Sequence, residues 1–182
     1  MHLLNNNSAK HRLVWTDTTE RSLVREISTD ARAVEPTMDH LDALEAQSIY
    51  IFREAFARLK KLALLWSLGK DSNVMIWLAR KAFFGRVPFP ALHVDTGKKF
   101  PEMYAFRDRY GKEWELDLRI ESCPPLETID PTLPPAARSA ARKTEGLKLA
   151  LAKFGFDGLI AGIRRDEEAT RAKERVLSLI HI

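Results

Sequence analysis

The chain has a single cysteine, Cys123, in 182 residues. It cannot form an internal disulfide, and one thiol argues against a cysteine-based zinc or iron–sulfur site. The five histidines (His2, His11, His40, His93, His181) are scattered without ligand spacing. No apolar run approaches the length of a membrane span, and no signal-type apolar region opens the chain. A dense lysine–arginine stripe interleaved with aromatic residues is also missing, so neither nucleic acid nor a membrane is an expected partner. With so little cysteine, the cytoplasm is the expected compartment. What is present is ordinary for a globular chain, with 45% hydrophobic and 30% charged residues, enough for one α/β domain with a proper core.

The net charge of +4 is unevenly distributed. Residues 1–37 carry five basic and five acidic side chains, so the whole excess lies from Met38 onward. A modest excess suits a small anionic ligand better than duplex DNA. Residues 1–37 also lack a sustained hydrophobic period and contain the polar clusters Asn5-Asn6-Asn7-Ser8 and Thr16-Asp17-Thr18-Thr19. They read as a poorly ordered extension, or as an upstream reading-frame addition before a start at Met38.

From Met38 the pattern tightens. Leu41, Leu44, Ser48, Ile51, Ala55 and Leu59 share one helical face, with Thr37 or Asp39 as the cap. An apolar strand over 62–66 runs into Ser67-Leu68-Gly69-Lys70-Asp71-Ser72, and a second helical pattern begins at once, ending near Gly85. A strand, a short polar turn and a helix N-terminus make an anion site. The unpaired N–H groups of the first helical turn face the turn, and the helix dipole favours negative charge there. Gly69 lets the backbone approach a ligand, Ser67 and Ser72 add hydroxyls, and Lys70 adds a positive charge. The turn is not the G-x-x-x-x-G-K-[ST] phosphate loop. Asp71 follows the lysine, and no glycine stands five residues before Gly69.

A strand is expected over 91–94, then a helix from Pro101 to about Tyr110. The alternation of Trp114, Leu116, Leu118 and Ile120 with charged residues predicts a strand over 114–120 with one wet face, near a sheet edge. Five prolines between residues 121 and 135 mark a loop. A helix over 137–153 stops at Gly155, and a strand over 158–161 follows. The order implies an open, mainly parallel, Rossmann-like α/β sheet with helices on both faces. Ligands of such sheets sit beyond the carboxyl ends of the strands. Three of those ends deliver polar groups: Ser67 to Ser72, Asp95-Thr96-Gly97, and Gly162 with Arg164, Arg165 and Asp166.

His93-Val94-Asp95-Thr96-Gly97-Lys98-Lys99-Phe100, Lys143-Thr144-Glu145-Gly146-Leu147 and Arg164-Arg165-Asp166-Glu167-Glu168 through Arg175 occur in that order. With the turn Ser67–Ser72, which is similar to the pyrophosphate loop S-G-G-x-D-S with Leu68 in place of the first glycine, they resemble the small, catalytic subunits of bacterial two-subunit sulfate adenylyltransferases. Those subunits belong to the 3′-phosphoadenylylsulfate reductase and adenine-nucleotide α-hydrolase-like family. The resemblance covers about residues 38–176. It implies a nucleotide-binding domain over 38–176 that is incomplete at its C-terminus. Residues 177–182 do not continue the pattern and read as a non-native tail, matching a translated sequencing adapter.

The resemblance further implies transfer of AMP from ATP to sulfate, giving adenylyl sulfate and pyrophosphate. It implies ATP as substrate, Mg²⁺, and a larger GTPase subunit as partner. Arg164, Arg165 and Arg171 become candidates for binding sulfate and the α-phosphate; from the residues alone, an ion-paired helix start is the plainer reading. Ser67, Leu68, Gly69, Lys70, Asp71 and Ser72 become the pyrophosphate cradle. Asp71 either holds Mg²⁺, orients the loop or caps the helix. Asp95 either contacts the nucleotide or forms an Asx turn with Thr96 and Gly97. Lys98 and Lys99 read as surface residues. The departure in the proline-rich loop, residues 122–136, puts the substrate contacts of that loop in doubt. The expected truncation keeps a reductase of the same fold, with its cysteine near the C-terminus, or a non-catalytic ATP-binding fragment as alternatives.

Overall fold

The Asp39 carboxylate accepts a hydrogen bond from the Leu41 N–H at 3.2 Å and starts the first long helix, which makes Asp39 rather than Thr37 the cap. The computed structural model describes residues 2–5, 39–163 and 176–179. Their elements in order are β1 (His2–Asn5), α1 (His40–Arg58), β2 (Leu62–Leu65), α2 (Lys70–Ala82), β3 (Ala91–Asp95), α3 (Pro101–Glu113) and β4 (Leu118–Ser122). A 3₁₀ turn (Leu126–Thr128), α4 (Pro135–Phe154), β5 (Gly158–Ala161) and β6 (Leu177–Leu179) complete them.

The strands form one sheet in the order β4-β3-β2-β5-β1-β6. β2 runs parallel to β3 and β5, and β3 parallel to β4. The direction of growth reverses at β2: α2 and α3 lead outward through β3 to β4, and α4 brings the chain back to β5 on the other side. The crevice between the carboxyl ends of β2 and β5 is therefore the switch point, where such sheets bind ligands. Two short strands extend the sheet past β5, β1 antiparallel to it and β6 parallel to β1. They lie in the segments 1–37 and 177–182 that the sequence pattern sets apart. β5 is buried along its whole length, and its outer edge offers unpaired N–H and C=O groups that such strands satisfy.

Strand alternation splits the core between the two faces. Leu62 and Leu64 join Trp66, Phe52, Ile76, Ala79 and Ile160 on one face. Ala63 joins Leu92, Leu151, Phe156 and Leu159 on the other, under α4. Only the second half of α1 reaches the core: Phe52 and Ala55 are buried, while Leu41 and Leu44 are exposed.

The strand expected over 114–120 begins later. Trp114 caps α3, Glu115 turns with φ 49°, and the Leu116 N–H bonds the Gly111 carbonyl at 2.9 Å. Trp114 is held there by Tyr110 (centroids 4.6 Å apart) and the Arg80 guanidinium (5.1 Å). Trp114, Leu116 and Leu118 still pack on the core, but the strand begins only at Leu118, and Ile120 is exposed. β4 does lie at a sheet edge. Among the described residues no helix is long and apolar enough to cross a membrane.

Candidate functional site

β2 delivers the chain to Trp66, which is fully buried, and the loop Ser67-Leu68-Gly69 turns it into α2. The reversal occurs at Leu68, whose φ of 69° is left-handed and whose side chain is buried as a plug under the loop. Gly69 has an ordinary φ of −77°, so its value lies in leaving the approach to the amides open rather than in backbone freedom. The first bond of the helix runs from the Asn73 N–H to the Gly69 carbonyl at 3.0 Å. The amides of Lys70, Asp71 and Ser72 have no acceptor among the described residues, and that of Gly69 has only a 3.5 Å contact with Ser67 Oγ.

The hydroxyls of the loop are organised. Ser72 Oγ donates to the Gly69 carbonyl at 2.9 Å, and Ser67 Oγ donates to Ser72 Oγ at 3.1 Å. Lys70 and Asp71 project to the exposed side. Beneath the loop, Trp66 Nε1 donates to Asn73 Oδ1 at 2.8 Å, tying the strand end to the first turn of α2. The Trp66 carbonyl faces His93 Nδ1 at 2.8 Å. Nδ1–H donates to that carbonyl, and the buried Nε2 has no partner among the described residues. Burial pushes the His93 pKa below 6.5, against the opposing effect of the Trp66 carbonyl.

The end of β3 forms the second wall. Asp95 Oδ1 accepts from the Gly97 N–H and from the Tyr104 hydroxyl, each at 2.9 Å, so the Asx turn is present. Burial alone would raise the Asp95 pKa; those two hydrogen bonds, with His93 and Arg107, outweigh it and hold the carboxyl below its ordinary value. Lys99 reaches from the same loop to the Ser67 carbonyl at 3.3 Å. Arg142 of α4 donates to the Thr96 carbonyl at 2.9 Å and to the Pro124 carbonyl at 2.6 Å, joining the loops after β3 and β4.

The third wall is the end of β5. A Cβ on Gly162 would lie 3.7 Å from Asp71 Cβ and 3.3 Å from Met75 Cγ, so the β5 end passes directly beside the first turn of α2. Arg164, Arg165 and Arg171 lie outside the described residues. The structure thus brings Ser67 through Ser72 together with the Gly162 backbone, and sets Asp95 one loop away, linked to the cradle through Lys99. Sequence reasoning passed over His93, Asn73 and Arg142, and it assigned Lys99 to the surface. The signal available for Lys99 was its place just past a strand end that faces the site.

A separate cleft of about 430 Å³ opens at the opposite edge of the sheet. It lies among Leu62, Pro90, Arg119 and Phe156 at the strand starts, so it does not belong to this constellation.

The family model described as phosphoadenosine phosphosulfate reductase domain matches residues 61–181, a span that takes in the cradle, the β3 loop and β5. The chain belongs to the phosphoadenosine phosphosulfate reductase domain family. Within that family, sulfate adenylyltransferase subunit 2 of Zymomonas mobilis subsp. mobilis is 53% identical over 148 residues, covering 79% of this chain and 49% of that protein. Sulfate adenylyltransferase subunit 2 of Rhizobium johnstonii is 52% identical over 158 residues, covering 84% of this chain and 50% of that protein. The chain spans about half the length of these curated relatives. Among solved structures, the U34-tRNA thiolase NcsA from Methanococcus maripaludis shares the fold of this reductase-type domain. Its TM-score is 0.50 at 19% identity, over 69% of this chain and 48% of that one.

Proposed function

We propose that this domain binds ATP by its phosphates at the α2 N-terminus and serves sulfate adenylyl transfer, as the names of its half-identical relatives suggest. The observation that carries the reading is the row of free amides at Lys70, Asp71 and Ser72, set at the β2/β5 switch point with the Gly162 backbone against it. In the reaction a sulfate oxygen attacks the α-phosphorus of ATP, the bond to the bridging oxygen breaks, and pyrophosphate leaves with the electron pair. Such transfer is catalysed by positioning and by stabilising charge that develops on the leaving group. The loop amides are free for that task and Lys70 adds charge, while the Ser67 and Ser72 hydroxyls, committed to each other and to the Gly69 carbonyl, hold the loop in shape. Arg164, Arg165 and Arg171 are assigned to sulfate and the α-phosphate because guanidinium forks suit tetrahedral oxyanions.

Among the described residues no cluster of three or more acidic, histidine or cysteine side chains could hold a metal. One exposed carboxylate at the cradle, Asp71, fits Mg²⁺ that arrives on the nucleotide phosphates rather than a resident ion. Asp95 is better employed in shaping the β3 loop than in touching ligand, since both its hydrogen bonds are internal.

A reductase reading needs a reactive thiolate. The buried Cys123 thiol, whose pKa burial pushes up, is not a candidate for it; a reductase's cysteine would lie near the C-terminus, in the part of the relatives' length that this chain does not span. A larger GTPase subunit as partner follows from the resemblance. The test is co-expression of the chain with such a subunit, followed by product assays. Sulfate-dependent pyrophosphate release stimulated by GTP supports the transferase, thioredoxin-dependent sulfite release supports the reductase, and ATP binding without either product leaves a binding module.

A further inference from the structure

Lys99 reads from the sequence as a surface residue, and its side chain is partly exposed. It follows β3 by four residues, yet its ammonium crosses to the neighbouring strand end and donates to the Ser67 carbonyl at 3.3 Å. A lysine ammonium has three donors, and this one bond is the only one Lys99 makes among the described residues. The Asp95 carboxylate of the same loop accepts from Gly97 and Tyr104, and it makes no ion pair with Lys99. Burial depresses the Lys99 pKa; Asp95 pulls it back, while Lys143 and Arg107 add to the lowering. Of these cations Arg107 is paired with Asp108 at 2.8 Å, whereas Lys99 has no carboxylate partner among the described residues. A half-desolvated ammonium with spare donors, beside free helix amides, is suited to an anion held between them.

We infer that Lys99 is a phosphate-binding residue: its ammonium, aimed by the Ser67 carbonyl, closes the α2 cradle from the β3 side and contacts the diphosphate part of the nucleotide. The inference rests on the reading of the α2 N-terminus as a phosphate cradle. The Ser67 contact fixes the direction of a long flexible stem, which lowers the ordering cost when the anion arrives.

The test is calorimetric titration of the 182-residue chain with inorganic pyrophosphate, ATP and AMP, for the wild type and for Lys99→Met and Lys99→Arg. Lys99→Met is expected to weaken pyrophosphate and ATP about tenfold or more and to leave AMP within about twofold. Lys99→Arg, which keeps the charge, is expected to recover most of the loss. The urea midpoint of Lys99→Met should match the wild type, since the side chain lies outside the core. If the wild-type chain binds pyrophosphate and Lys99→Met binds it equally well, the inference is overturned and the cradle stands. Equal weakening of AMP, or a shifted urea midpoint, shows a structural role and also overturns it. If the wild type binds neither pyrophosphate nor ATP, the cradle reading fails and takes this inference with it.

Discussion

Leu68 sits between two opposed demands. Its left-handed backbone costs about 1 kcal/mol for a residue other than glycine. Its side chain, 7% exposed, contributes about 2 kcal/mol by burial. Leu68→Gly should therefore lower stability by about 1 kcal/mol in urea unfolding, with the loop's amides left in place to bind pyrophosphate. Ser72 makes the opposite kind of contribution. Its hydroxyl bonds the Gly69 carbonyl and receives Ser67, so Ser72→Ala removes an ordered pair at a cost of about 1 kcal/mol and should weaken ATP binding several-fold by the same calorimetry. At Asp95 the folded pKa is depressed. The stabilisation is thus present above the ordinary value of 3.8 and is lost as pH falls through the lower folded value. Asp95→Asn should be less stable than the wild type at pH 7 by at most about 1 kcal/mol, because the carboxylate is partly solvated, and the two melting curves should converge at acid pH.

At the level of elements, the contact of α4 with the sheet is set by a helical glycine. A Cβ on Gly146 would lie 2.9 Å from Cys123 Sγ, 3.0 Å from Val94 Cγ1 and 3.2 Å from Cys123 Cα. The last of these is backbone and cannot turn aside. Gly146→Ala gains about 1 kcal/mol of helix propensity and loses about 1–3 kcal/mol to overpacking, so a net loss of about 1 kcal/mol is expected in urea unfolding. The displacement also reaches the site, because the Cys123 N–H holds the Asp95 carbonyl at 2.7 Å. The helices themselves were largely legible. Pro101 opens α3, and Gly155, with φ 66°, ends α4 as a left-handed cap on the Leu151 carbonyl. The strand over 114–120 was misread because period-two alternation also arises where a helix end and a turn bury every second residue. Trp114 and Leu116 pack on the core without any ladder bonds.

Over the whole molecule, the buried His93 couples the fold to pH. It is fully inaccessible and its folded pKa lies below 6.5, whereas the unfolded chain takes up the proton near that value. Stability is complete above pH 6.5 and declines as pH falls from there through the folded value. The urea midpoint of the wild type should drop between about pH 7 and pH 5, and His93→Gln should flatten that slope; an equal slope in both proteins would refute the assignment. The sequence by itself determined the alternation of strands and helices, the parallel core and the anion-binding turn at Ser67 to Ser72. Each of these follows from local periodicity, helix caps and the chemistry of a few adjacent residues. Only the tertiary structure decided which strand ends are neighbours: that Gly162 abuts Asp71, that Lys99 crosses to Ser67, and that His93 supports Trp66. Those contacts depend on the order β4-β3-β2-β5. That order is fixed by crossovers and by pairing between residues distant in the chain, which no local pattern encodes.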